Sequence, residues 1–269
     1  MSTDSYQVTI VKYGTRRATK SNVFLNHHIY GESDDEVGMD YFIWVASNSE
    51  RTVVIDTGFS RAGGEARNRD FLIDPPVAFA ALGVDPADAP TVVITHAHYD
   101  HAGNLDHFPH SKVIISSAEF DFWASDMGAR AQFHYSVDDA DLEQIARAGL
   151  DGRVQTFDGE HEIAPGIRVL EIGGHTPGQS VVLVDTDEGT VMLASDAIHY
   201  YEEYEADMPF AFVADLPAMY RGFDRIRALV ESGEVTHLVS GHDPDTLGRF
   251  TAVTDGPLAG LAATIGHRA

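Results

Sequence analysis

The chain has 269 residues, 43% of them apolar and 22% charged. That balance suits a folded core and excludes collagen-like, coiled-coil and wholly disordered architectures. With 18 basic and 42 acidic residues the formal charge is −24, so nucleic acid and anionic membrane surfaces are poor partners. Cysteine is absent. Disulfides, thiolate ligands and cysteine nucleophiles are therefore excluded, and any metal site must use His, Asp and Glu. The sequence shows neither a leader pattern nor an apolar run long enough to span a bilayer, so a cytoplasmic protein is expected.

Tyr6 to Tyr13 alternates and is rich in β-branched residues, which predicts a strand. Gly31 to Asp40 is acidic, contains two glycines and reads as a loop. Tyr41 to Ala46 and Thr52 to Ile55 read as a hairpin, followed by the turn Asp56-Thr57-Gly58. Pro75 to Leu82 is expected to be helical. Thr91 to Thr95 and Lys112 to Ile115 are short apolar runs of the kind found in strands covered on both faces. A helix is predicted from Ser117 to Ser125, and an acidic one from Val137 to Ala148. Strands resume at Val154–Phe157, Ile167–Ile172, Ser180–Asp185 and Thr190–Ala194. A helix fits Leu216–Glu231, with Asp215 as N-cap and Pro217 in the first turn, where its missing N–H does no harm. Thr236 to Ser240 is one more strand. Strands precede helices twice over, so an α+β class is expected: one domain over 1–269 built from two halves, about 1–153 and 154–269.

The segment Thr95-His96-Ala97-His98-Tyr99-Asp100-His101 places four metal-competent side chains within six residues, directly after a buried strand. His96 and His98 are two apart, so an extended or tightly turned backbone can aim both rings the same way. Asp100 and His101 follow where the chain turns towards a helix, and a second ion suits that pair. His175, Asp196 and His242 each follow a predicted strand and sit beside small or turn-forming residues. Glycines beside them let the backbone bend sharply and pack close to a cluster. Five histidines and two aspartates suit two ions with one carboxylate between them.

With these residues in place, the sequence resembles the metallo-β-lactamase-fold hydrolases, and among them the N-acyl homoserine lactone lactonases. The resemblance rests on the run His96-Ala97-His98-Tyr99-Asp100-His101, on the onward spacings of 74, 21 and 46 residues to His175, Asp196 and His242, and on Ile55-Asp56-Thr57-Gly58. It implies a four-layer αββα sandwich. It implies one ion held by His96, His98 and His175, a second held by Asp100, His101 and His242, and Asp196 bridging them. Asp56 is implied to support the site without binding metal. Two divalent ions are the implied cofactors; the all-N/O set suits zinc, with iron, cobalt or manganese also compatible. The implied chemistry is ring opening of a lactone, foremost an N-acyl homoserine lactone, by a hydroxide bridging the two ions. Asp100 is implied to carry the proton to the leaving oxygen.

Where several lactonases carry a tyrosine three residues beyond the bridging aspartate, this chain has His199, with Tyr200 and Tyr201 next to it. His199 and Tyr200 are therefore the candidates for polarising the substrate carbonyl. A thioester hydrolase of the glyoxalase II type shares the ligand pattern and is the alternative. Such enzymes usually add a helical domain with basic residues, whereas only 27 residues follow His242 here, with two arginines among them. Phe24, Tyr30, Phe71, Phe120, Phe122, Trp123, Phe133 and Tyr135 are the aromatic residues considered for an acyl-chain groove. The partner expected is a small lactone, and a homodimer is compatible with the sequence.

Overall fold

A computed structural model describes residues 4–267. Its strands are, in chain order, β1 (Gln7–Thr19), β2 (Glu36–Ser47), β3 (Thr52–Ile55), β4 (Asp70–Phe71), β5 (Thr91–Val93), β6 (Val113–Ser116) and β7 (Val154–Phe157), then β8 (Glu160–Ala164), β9 (Ile167–Glu171), β10 (Ser180–Thr186), β11 (Gly189–Leu193), β12 (His237–Val239), β13 (Thr251–Ala252) and β14 (Ala262–Ile265). The larger sheet runs β13-β14-β1-β2-β3-β5-β6-β7, with β4 on β1, and the smaller runs β12-β11-β10-β9-β8.

Period-two alternation splits each strand between two cores. Phe42 and Trp44 of β2, with Val93 and Ile114, meet Val182, Val184, Val191 and Leu193 of the smaller sheet between the layers. Ile43, Val45, Val92 and Val113 face the other way, against Phe79 and Ile145 from helices Pro75–Ala81 and Asp139–Leu150. Leu170, Val181, Leu183 and Met192 turn outward under Ile226 of the helix Leu216–Glu231. The outcome is helix, sheet, sheet, helix: an α+β four-layer sandwich. Among the described residues no helix is long and apolar enough to cross a membrane.

Two expectations shift. Glu36 to Asp40 is strand rather than loop, because Thr19 to Thr15 of β1 pairs with it residue for residue and outweighs its local polarity. Val154–Phe157 pairs with β6, and the late strands β13 and β14 return to β1. The larger sheet therefore draws on both sides of residue 153.

Strand direction positions the site. β3 and β5 are parallel, as are β11 and β12, and β9 points the same way as β11 through two antiparallel pairings. The segments carrying Asp56, His96, His175, Asp196 and His242 leave the carboxyl ends of these five strands along one edge, the usual place for a ligand in such sheets.

Candidate metal centre

The backbone at these strand ends is bent to aim side chains inward. Asp56 and Ser195 both adopt left-handed φ, at 57° and 46°. His98 is the N-cap of a single turn, Tyr99–Ala102, that carries Asp100 and His101 on its first residues. Gly103 closes that turn against backbone atoms of Ser60, Tyr99 and Gly58, leaving no room for a β-carbon. All seven expected ligands are buried.

They fall into two sets. Donor atoms of His96, His98, His175 and Asp196 lie within 4.8 Å of one another, and so do those of Asp100, His101 and His242. Asp196 faces both. Its Oδ1 lies 3.0 Å from His242 Nε2 and 3.1 Å from His101 Nε2, while its Oδ2 lies 3.2 Å from His175 Nε2 and 3.6 Å from His96 Nε2.

The hydrogen bonds fix which ring nitrogens carry protons. His242 Nδ1 donates to the Asp40 carbonyl and His175 Nδ1 to the Phe212 carbonyl, each at 2.7 Å. A backbone carbonyl only accepts, so these Nδ1 atoms hold the proton and the Nε2 atoms present lone pairs. His101 Nδ1 lies 2.7 Å from Asp56 Oδ2. Asp56 also accepts the Thr95 N–H and hydroxyl, both at 2.8 Å. Nε2 of His96 and of His101 is buried without a hydrogen-bond partner. Lone pairs turned on a carboxylate about 3 Å away repel unless positive charge lies between them. The donor set therefore fits divalent cations, and its N/O composition suits zinc.

The electrostatics of Asp196, His96 and His98 agree with this reading, whereas His101 is held charged by its carboxylate neighbours. Burial opposes the charge on Asp196, yet His199, His101, His242 and His96 hold its carboxyl well below the usual range. Burial, aided by neighbouring rings, pushes His96 and His98 well below the ordinary imidazole value, the state that metal binding needs. Burial acts the same way on His101, but Asp196, Asp56 and Asp100 outweigh it and raise that ring.

A cleft opens beside the cluster, lined by His98, Asp100, His175 and Asp196. The sequence reading missed much of its wall: Tyr41, Tyr99, Arg16, Arg69, Phe210 and Phe212. Tyr99 lies inside the histidine motif and was legible there. Its hydroxyl accepts from Arg69 Nε at 2.8 Å and lies 3.4 Å from that of Tyr41. Burial pushes Tyr41 up to about 12, so it stays a donor. Of the aromatic residues considered for an acyl groove, Tyr135 lines this cleft, and Phe122, Trp123 and Phe133 line a second hollow that shares His98, His175, Ser136 and Phe212 with it. Phe24, Tyr30, Phe71 and Phe120 instead pack on the helix-side core of the larger sheet.

The two residues expected to polarise the substrate, His199 and Tyr200, do not line this cleft. Tyr200 is buried, with its hydroxyl donating to the Gly38 carbonyl at 3.0 Å, and it does not line the cleft. His199 is fully buried beneath the Phe210 ring, stacked at 3.8 Å, and its Nε2 lies 3.0 Å from Asp196 Oδ2. Burial opposes its protonation, but Asp196 and Glu203 raise it to about 9. Glu203, four residues on, was also missed. Glu119 was missed too, and it binds the two histidine loops together. Its Oε1 accepts the Ala97 N–H at 2.9 Å, and its Oε2 accepts the Thr176 hydroxyl at 2.6 Å.

The comparisons with known proteins point the same way. A curated N-acyl homoserine lactonase from Bacillus sp is 28% identical over 164 residues, covering 61% of this chain and 56% of that protein. N-acyl homoserine lactonase AttM from Rhizobium radiobacter is 28% identical over 178 residues, 63% of this chain and 64% of its own length. The matched stretch thus spans little more than half to two-thirds of these relatives. A crystal structure of a quorum-quenching N-acyl homoserine lactone lactonase superposes with a TM-score of 0.75 at 19% identity, over 91% of this chain and 95% of that one, and so shares the fold. The sequence profile of the metallo-beta-lactamase superfamily matches residues 35–242, a span that encloses both buried donor sets, and the chain belongs to that superfamily.

Proposed function

We propose that the protein is a metal-dependent lactone hydrolase acting on N-acyl homoserine lactones. The observation that carries this reading is the pair of donor sets sharing Asp196 at the floor of a cleft with both polar and aromatic walls. His96, His98 and His175 would hold one ion and Asp100, His101 and His242 the other, and the donor set suits zinc. Two such ions would supply Lewis acidity and lower the pKa of water, which would take the place of a serine or cysteine nucleophile.

The chain's own groups do the rest. Tyr99, held protonated by burial, donates its hydroxyl to that of Tyr41, and Tyr41, likewise held protonated, offers a hydroxyl donor at the cleft wall to the lactone carbonyl and its developing oxyanion. Arg69 fixes the Tyr99 hydroxyl. Asp100, at the mouth of the cluster, delivers the proton to the departing alkoxide oxygen. Phe210, Phe212, Phe122, Trp123 and Phe133 give an acyl tail an apolar bed and keep bulk water from the ring.

The test is proton release from a panel of lactones of varied tail length, with metal content measured alongside. Ring opening by the loaded enzyme, lost on chelation and lost with the metal in His98→Ala and Asp196→Asn, is the expected result. Turnover that survives metal removal, or a folded protein that binds metal but opens no lactone, counts against it.

A further inference from the structure

We propose that Arg16 and Arg69 form an anion-binding subsite on the cleft wall, and that through it the protein prefers lactones whose acyl chain carries a carboxylate. The proposal rests on the lactone reading above for the reaction and adds the chemistry that selects the substrate.

The charge of the cleft runs against that of the molecule. The chain has 18 basic residues and 42 acidic ones. Among the residues lining the cleft, however, the only carboxylates are Asp100 and Asp196, and both belong to the donor sets. The other charged residues of the lining are all arginines: Arg16, Arg67 and Arg69. Divalent ions on the donor sets would offset the two carboxylates and leave the wall cationic.

One of the three arginines is already satisfied. Arg67 Nη1 pairs with Asp138 at 2.7 Å, and its Nη2 donates to the Tyr135 and Val137 carbonyls. Arg69 Nε donates to the Tyr99 hydroxyl at 2.8 Å and its Nη1 to the Arg67 carbonyl at 2.7 Å, which leaves Nη2 free. Arg16 contacts only the Met39 sulfur, a weak acceptor, through Nε at 3.1 Å, and both of its Nη groups are free. Among the described residues neither Arg16 nor Arg69 meets a carboxylate, although both are half-buried. Free guanidinium N–H groups in a fixed fork are matched to a carboxylate.

Strand register puts this pair beside the reacting end of the cleft. Arg16 of β1 stands opposite Met39 of β2, and β4, which begins next to Arg69, pairs with β1 at Thr15. The Met39 sulfur lies 3.9 Å from the Tyr41 hydroxyl, and the Arg69 guanidinium lies 5.8 Å from the Tyr41 ring. The Tyr41 ring is 5.2 Å from that of His242, so the arginines lie on the side of the second donor set. The aromatic hollow lies on the side of the first, with Trp123 at 6.0 Å from the His98 ring. A methyl-ended acyl chain suits the hollow. A carboxylate there would lose its hydration with nothing in return, whereas the arginines replace that hydration.

The test compares two N-acyl homoserine lactones of equal chain length, one ending in a methyl group and the other in a carboxylate, on zinc-loaded full-length protein. The expected result is a higher kcat/KM for the carboxylate, although the −24 charge of the chain repels it. Arg16→Gln should cut the ratio of the two values about 10-fold, and Arg16→Lys should keep part of it. Calorimetric titration with the ring-opened forms of the pair reads the same preference without turnover. Equal values for the pair in the wild type, or a preference that Arg16→Gln leaves unchanged, overturn the proposal and leave lactone opening intact. An Arg16-dependent preference in binding, in a protein that opens neither lactone, keeps the subsite and removes the hydrolase reading. A protein that neither opens nor binds either compound removes both.

Discussion

The Glu119 carboxylate accepts the Thr176 hydroxyl at 2.6 Å, joining the loop after β9 to the loop after β5. The same side chain takes N–H donors from Ala97, Gly178 and the Trp123 indole. Burial raises its carboxyl, and these donors offset that cost. Removing it leaves four buried donors without an acceptor. Glu119→Ala should therefore cost about 3–5 kcal/mol in denaturant melts of the metal-free protein. Glu119→Gln keeps one acceptor oxygen and should lose less. A melt unchanged in both variants would show that the two loops are fixed by other contacts.

Asp56 is expected to act through His101. Asp56→Asn preserves shape and tolerates the left-handed backbone, but it turns an amide N–H donor towards a donor at His101 or Thr95. Metal affinity should fall about 10–100-fold, read by chelator competition, while far-ultraviolet circular dichroism stays unchanged. Equal affinity would separate Asp56 from the ligand set.

Gly103 tests the tight turn beneath Asp100 and His101. A β-carbon there meets three backbone atoms, which cannot rotate away. Gly103→Ala should lower stability by about 2–4 kcal/mol and loosen the metal. Gly248 is the control, since a β-carbon there meets nothing within 4 Å. Gly248→Ala should melt like the wild type.

Asp141, in the helix Asp139–Leu150, is buried and has an oxygen without a partner. Burial, with Asp138 nearby, pushes its carboxyl up to about 7 from 3.8. The folded state therefore binds this proton more tightly than the unfolded chain. Its stabilising effect is whole below pH about 4 and is lost as pH rises towards 7. Asp141→Asn should accordingly be more stable than wild type at pH 8, by about 2–4 kcal/mol, and the advantage should shrink as pH falls. A stability difference that does not vary with pH would exclude ionisation of this group as its cause.

Particular residues show what could be read from sequence. The helix Leu216–Glu231 was legible because its signals are local: Asp215 Oδ1 accepts the Ala218 N–H at 2.9 Å, proline stands in the first turn, and apolar residues recur at helical spacing. The histidines and aspartates were legible because each follows a buried strand with turn residues beside it. The cleft wall was not. Phe210 and Phe212 lie in a segment without regular periodicity, and they reach the site through contacts such as the Phe212 carbonyl on His175, which no local pattern encodes. The packing of Tyr200 was not legible for the same reason. Its place in the chain is three residues short of Glu203, but its side chain is taken by Phe24 and Gly38 on another strand and loop. β14, four residues of small and apolar character, exists as a strand only because β1 and β13 pair with it.

That last pairing bears on biosynthesis. Val8 aligns with Ile265 and Val11 with Ala262, so one edge of β1 is covered by a strand that lies far along the chain. A nascent chain leaving the ribosome carries that bare edge until residues 262–265 have been made. Contacts so distant in sequence slow folding and leave the edge open to association with other chains. Ribosome-bound intermediates of this protein should therefore depend on chaperones until residues 262–265 emerge.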